Sequence, residues 1–224
     1  MNCEIKNIEN LQYVIRYPKG FDPNRTYPVI LFFHGAGGRG NDINVLLNNP
    51  YFRHTANYED FPFITVAPHC SENTWFDLWH LLKQLVKTAY SLPYADKKRI
   101  YAMGASMGGY ATWQLAMSMP EYFAAIAPVC GGGMYWNAVR LLNVPVWAFH
   151  GGKDTVVLTR ESEKMVESVN ANGGNAKLTI YPENGHNAWD DTYSNYAVFE
   201  WLLSNENKNI NEIVDIYDNV KDFG

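Results

Sequence analysis

The chain is predicted to be an α/β protein, a mostly parallel sheet with helices on both faces. Short apolar runs of strand length alternate along it with segments whose apolar residues recur at helical spacing. Several of the strand runs are continuous rather than alternating, the pattern of strands buried on both faces. In addition, 47% of the 224 residues are hydrophobic and 15% are aromatic, ample for a core on each side of a sheet.

The elements follow in order. Leu11 to Tyr17 alternates and predicts an antiparallel strand with one exposed face. Pro18 to Tyr27 holds Pro, Gly, Asp and Asn and predicts a turn region. Pro28 to Phe33 is an unbroken apolar run ending in His34-Gly35. A glycine-rich loop follows it, then a short helix near Ile43 to Leu47. Phe61 to Ala67 is the next buried strand. Between Trp75 and Ala89, residues Leu78, Leu81, Leu82, Leu85, Val86 and Ala89 stand at helix spacing. Arg99 to Met103 reads as a strand and Gly109 to Met117 as the helix after it. The second half repeats the rhythm. Strands are expected over Phe123 to Cys130, Val144 to His150 and Ala176 to Tyr181. Helices are expected over Met134 to Leu142, Thr159 to Asn170 and Asp191 to Leu203, the second ended by Asn172-Gly173-Gly174. Crossovers between the parallel strands should be right-handed. No linker, repeat or low-complexity tract divides residues 1–224, so a single domain is expected. From Asn205 onward the chain is a polar tail, in which Ile210, Ile213, Val214, Ile216 and Tyr217 suit one docking helix.

Charge and composition exclude several classes of function. The net charge is −5 without long charge runs, which argues against nucleic-acid binding. No basic amphipathic stretch suggests a membrane surface, and no apolar run approaches the roughly 20 residues of a spanning helix. The N-terminus has no basic-then-apolar signal pattern. Cys3, Cys70 and Cys130 are an odd number at scattered spacings and read as free thiols, with Cys130 in an apolar strand run. Together these point to a cytoplasmic protein.

The chemistry concentrates at Gly104-Ala105-Ser106-Met107-Gly108. A Gly-x-Ser-x-Gly at a strand-to-helix junction is a nucleophile elbow, a turn so tight that its serine takes a strained backbone and its flanks need glycine. A nucleophilic serine needs a base, an acid to orient that base, and donors for an oxyanion. His186 follows Gly185 in the loop after the last predicted strand. Asp154 lies in His150-Gly151-Gly152-Lys153-Asp154, after the strand before it. All three residues therefore fall at carboxyl ends of parallel strands, where open α/β sheets place their sites. His34-Gly35-Ala36-Gly37-Gly38 also follows a strand and can aim the Ala36 N–H at an oxyanion. The N–H of Met107, at a helix start, is the second donor.

The rivals are weaker on placement. Asp190 and Asp191 are near His186 in sequence but read as the N-cap and first turn of the last helix. His34 and His150 end strands and brace loops, and His69 stands near the same edge. The His34 loop lacks the Gly-x-x-x-x-Gly-Lys-Ser/Thr pattern of a phosphate loop. No spaced His, Cys or Glu cluster suggests a metal.

With these residues in place, the chain resembles the α/β-hydrolase family over about Tyr13 to Leu203. The motifs at 34–38, 104–108, 151–154 and 185–186 look most like the small cap-less serine esterases. These include phospholipase/carboxylesterase, dienelactone-hydrolase-like and feruloyl or acetylxylan esterase types. The resemblance implies an α/β-hydrolase fold without a large lid, a Ser106–His186–Asp154 triad, an acyl-enzyme and no cofactor. Dienelactone hydrolases proper use cysteine where this chain has Ser106. The expected substrate is a small carboxylic ester with a short or aromatic acyl group, on carbohydrate in the preferred version. A lysophospholipase or acyl-thioesterase needs the same triad with a longer groove. A different class of reading is a catalytically silent hydrolase-fold binding protein. Trp75, Tyr135, Trp136 and Trp189 lie near the same edge and are candidates for the pocket wall, or else they fill core.

Overall fold

In the computed structural model, which describes residues 2–208, eight strands form one sheet. The strands are β1 (Cys3–Ile8), β2 (Leu11–Arg16), β3 (Tyr27–Phe33), β4 (Ile64–Pro68), β5 (Ala95–Ala105), β6 (Ala125–Val129), β7 (Val146–Gly151) and β8 (Ala176–Tyr181). Their order across the sheet is β1-β2-β4-β3-β5-β6-β7-β8. Strands β1 and β2 pair antiparallel, β2 meets β4 antiparallel, and every other pairing is parallel. The docking helix expected over 210–217 lies outside the described residues.

Among the described residues, six α-helices cover the two faces. They are α1 (Pro50–Ala56), α2 (Trp79–Tyr90), α3 (Met107–Ser118), α4 (Arg160–Ala171), α5 (Trp189–Ser194) and α6 (Tyr196–Leu203). Leu81, Leu82, Leu85 and Val86 of α2 pack with Trp113 of α3 and Met165 of α4 in one core. Tyr51 and Phe52 of α1, Tyr193 of α5 and Phe199 of α6 build the other. Each face thus buries an apolar layer against the same continuous strands, which is why β3, β4 and β6 carry almost no polar residue.

The departures from the expected elements have local causes. Strand β1 was not foreseen because it is an edge strand with a mostly exposed, charged sequence. It turns into β2 through Glu9, which sits at φ 51°. Helix α1 is only seven residues long, too short for a periodicity. Its start is nonetheless marked, since the Asn49 side chain accepts the Tyr51 N–H and Pro50 opens the helix. The helix expected from Trp75 begins as a 3₁₀ turn, Trp75–Leu78, with Thr74 and Asp77 forming a capping box, and only then becomes α2. The Met134–Leu142 segment is likewise 3₁₀, over Tyr135–Leu141. The last helix is split at Asn195, which takes an extended conformation and caps α6 with its own side chain.

Candidate active site

Strand β5 and helix α3 meet at Ser106, whose backbone has φ 57° and ψ −119°. A non-glycine residue at positive φ is strained by about 1–3 kcal/mol, so the neighbours must hold it. They do so through close approach. A Cβ on Gly104 would lie 2.5 Å from the Phe33 carbonyl oxygen, and one on Gly108 only 1.9 Å from it. The Ser106 N–H donates to the Val129 carbonyl at 2.9 Å. The elbow is therefore clamped between β3 and β6.

His186 and Asp154 come to Ser106 from the loops after β8 and β7. His186 Nε2 lies 2.8 Å from Ser106 Oγ, and Nδ1 lies 2.7 Å from Asp154 Oδ2. Asp154 is buried, and its Oδ1 accepts the Val156 and Val157 N–H groups at 2.9 and 3.0 Å. Burial pushes the Asp154 carboxyl up. The His186 hydrogen bond, the two backbone N–H groups and the His186 charge outweigh that and hold it below the ordinary carboxylate value. His186 Nδ1 therefore faces an anion and must be the protonated nitrogen, leaving Nε2 free to accept from Ser106.

The rival acids are occupied elsewhere. Asp190 pairs with His54 Nε2 at 3.3 Å, and Asp191 accepts from the Asn184 side chain. Both lie in the first turn of α5, whose N-cap is Ala188, so Asp190 is not the cap.

The His34 loop is held in place by hydrogen bonds from its own residues and from Cys70, His69 and Arg39. His34 Nε2 accepts the Cys70 N–H at 3.0 Å, so its proton is on Nδ1, which donates to the Gly35 carbonyl at 2.7 Å. Burial lowers the His34 pKa to about 4, keeping the ring neutral. His69 Nε2 lies 3.0 Å from the Gly38 carbonyl, and Arg39 donates to the carbonyls of Ala36 and Asn73. The Ala36 N–H opens the 3₁₀ turn Ala36–Gly38 and the Met107 N–H opens α3, and neither donates to a protein acceptor among the described residues.

A cavity of about 480 Å³ opens over Ser106 and His186, and its wall includes Phe32, Ala36, Asn48, Pro50, Val156 and Tyr193. Of the four aromatic pocket candidates, only Trp189 lies there, its ring 5.3 Å from the His186 ring and edge-on to it. Trp75 is fully buried instead. It donates from Nε1 to the His34 carbonyl at 3.0 Å and packs on the His34 ring, so it braces the loop from behind. Tyr135 and Trp136 stand 51% and 70% exposed on their 3₁₀ turn and line no part of the cavity. Asn48, Asn49 and Pro50 also line the cavity; they lie at and just beyond the end of the 3₁₀ turn Ile43–Asn48, and the Asn49-Pro50 pair that starts α1 is the sequence signal that marks them.

Behind Asp154, Cys130 and His150 bring a sulfur and a ring nitrogen to within 4.8 Å of one another and of a carboxylate oxygen. Internal bonds already occupy this cluster. His150 Nδ1 meets Ser162 Oγ at 2.7 Å, and Nε2 meets the Val157 carbonyl at 2.9 Å. Burial pushes the Cys130 thiol up to about 12, the state of an inert core thiol. Cys3, Cys70 and Cys130 are all free. Among the described residues no helix is long and apolar enough to cross a membrane.

An elbow serine, a histidine and a carboxylate at one sheet edge define a protein of the α/β-hydrolase fold. The model of the dienelactone hydrolase family matches residues 22–198, and the chain belongs to that family. It is 26% identical to a bifunctional acetylxylan esterase/xylanase of Neocallimastix patriciarum, over 67% of this chain and 22% of that protein. It is also 26% identical to a probable feruloyl esterase C of Aspergillus terreus, over 57% of this chain and 49% of that one. The chain thus spans half or less of these curated relatives. A solved thermostable esterase superposes with TM-score 0.75 at 29% identity, covering 92% of this chain and 63% of that structure.

Proposed function

We propose that the protein is a serine carboxylic-ester hydrolase working through an acyl-enzyme. One observation carries the reading: Ser106, His186 and Asp154 form a continuous hydrogen-bonded chain of 2.8 and 2.7 Å beneath an open cavity. Ser106 Oγ attacks the ester carbonyl while His186 Nε2 takes its proton. The resulting oxyanion accepts from the N–H groups of Ala36 and Met107. As the carbonyl re-forms, the C–O bond to the alcohol breaks and His186 returns the proton to that oxygen. A water then attacks the Ser106 ester as His186 takes its proton, and as the acyl C–O bond to Ser106 breaks, His186 returns that proton to Ser106 Oγ and the acid leaves. Asp154 fixes the His186 tautomer and stabilises imidazolium.

The preferred substrates carry a short or aromatic acyl group, in the favoured version on carbohydrate. The cavity is open to solvent, and Trp189, Pro50 and Val156 are among its apolar lining. The relatives named for acetylxylan and feruloyl esterase activity support the same choice. Each buried methylene contributes only about 0.8 kcal/mol, and only where there is wall to bury it. A panel of nitrophenyl esters from acetate to palmitate, with feruloyl and acetylated-sugar esters, tests the proposal. Acetyl, butyryl or feruloyl esters should show the highest kcat/KM. Palmitoyl esters leading the series would move the assignment to a lysophospholipase or thioesterase. No turnover of any ester or thioester would favour a silent binding protein.

A further inference from the structure

A second cavity, of about 490 Å³, opens at the other edge of the sheet, where β4 begins, and Arg16 is part of its wall. Arg16 ends β2 and is only 4% exposed. Its guanidinium lies in a cage of aromatic rings, with Cζ 5.5, 5.0 and 4.8 Å from the ring centres of Tyr51, Phe52 and Phe61. Nη1 donates to Thr55 Oγ1 at 2.7 Å and Nη2 to Thr65 Oγ1 at 3.2 Å. Both acceptors are neutral. Among the described residues no ion pair involves Arg16.

A buried charge without a counter-ion costs several kcal/mol, which the cation–π contacts, each about 2 kcal/mol when desolvated, offset without supplying an anion. Burial accordingly lowers the Arg16 pKa. A guanidinium has five N–H donors in a fixed fork, and the two threonines take two. The Tyr51 hydroxyl also lies within hydrogen-bonding reach of the guanidinium and is likewise neutral, and Arg16 itself is part of the cavity wall. Thr55 and Phe61, which flank the guanidinium, line the same cavity. The remaining wall is mainly apolar, from Tyr17, Pro18 and Tyr58, while Lys19 and Glu59 on the rim offset each other in charge.

We infer that this cavity binds a small organic carboxylate, its charged end on Arg16 and its apolar body against Tyr58 and Phe61. A carboxylate matches the guanidinium fork, and charge-assisted bonds of this kind are roughly twice as strong as neutral ones. The site is separate from Ser106. Helix α1 runs between the two, with Pro50 on the Ser106 cavity and Thr55 and Ala56 on this one.

Benzoate, benzamide and inorganic phosphate, titrated by calorimetry and by amide chemical shifts, test the assignment. Benzoate should bind saturably and shift the amides of Thr55, Tyr58 and Phe61, at least tenfold more tightly than neutral benzamide or bare phosphate. Arg16→Met should abolish that binding. Arg16→Lys, which keeps the charge and loses the fork, should weaken it about tenfold and serves alone if Arg16→Met does not fold. Benzamide or phosphate binding as tightly as benzoate would overturn the assignment. So would unchanged binding in the Arg16 variants, or shifts confined to Ser106, His186 and Trp189.

Discussion

Replacing Asp154 by asparagine exchanges one oxygen for an NH₂ group in a buried, fully hydrogen-bonded site. The amide has two orientations. With its oxygen toward the Val156 and Val157 N–H groups, it keeps both of those bonds. The NH₂ then faces His186 Nδ1, now 2.7 Å from a carboxylate oxygen. It also faces His150 Nε2, 3.3 Å from the same oxygen and itself a donor to the Val157 carbonyl. The flipped amide sets its NH₂ against two backbone donors, and each buried group left unsatisfied costs about 1–3 kcal/mol. One donor conflict is better than two, so the first orientation wins. It forces His186 to accept at Nδ1 and carry its proton on Nε2, where it cannot take the proton of Ser106. The same exchange in serine proteases lowers kcat by about 10⁴, a barrier increase of about 5.5 kcal/mol. The assay is kcat on a nitrophenyl ester, with circular dichroism to show that the variant is folded. Asp190→Asn and Asp191→Asn are the controls. They alter the first turn of α5 and should cost at most about 1 kcal/mol of stability with little loss of rate. A large loss in either control, with Asp154→Asn within tenfold of the parent, would refute the reasoning.

Two further outcomes follow from the same geometry. Gly108→Ala places a methyl 1.9 Å from the Phe33 carbonyl oxygen and 2.5 Å from its carbon. Neither backbone atom can move aside cheaply, so urea unfolding should show a loss of about 3 kcal/mol or more, and parent-like stability would contradict the clamped elbow. Stability should also fall on acidification between about pH 6.5 and pH 4. In that window an unfolded His34, with an ordinary value of 6.5, takes a proton that the folded ring, at about 4, refuses. The unfolded state then binds more protons, so acid favours it by about 3 kcal/mol across the window. His69, lowered by burial as well, adds to the same trend. Urea midpoints at pH 7.5, 5 and 4 should drop less steeply for His34→Gln, and equal slopes would exclude His34 as the source.

Much of the site was legible because its signals are residue types fixed to strand ends. Ser106, Asp154 and His186 each follow a strand, and parallel strands bring such loops to one edge whatever the side chains do elsewhere. Trp75 shows where that logic stops. An aromatic after a strand can face the cavity or the core, and only the His34 carbonyl at 3.0 Å decides that it faces inward. Strand β1 was hidden because an edge strand needs no apolar pattern, and the start of β5 because Lys97 and Lys98 interrupt its apolar run. Arg16 reads as an ordinary polar residue at the end of an alternating strand. Its burial follows from Tyr51, Phe52 and Phe61, which lie 35 or more residues away and close over it only in the folded chain.

Reaction with a fluorophosphonate, followed by peptide mapping and residual turnover, tests the central claim most directly. The account predicts one label per chain, on Ser106, with ester hydrolysis lost in proportion to labelling. Ser106→Ala should take up no label and be folded but inactive, its rate lower by about 10⁶ as in related serine enzymes. Labelling at another residue, or turnover that persists once Ser106 is fully labelled, would contradict it.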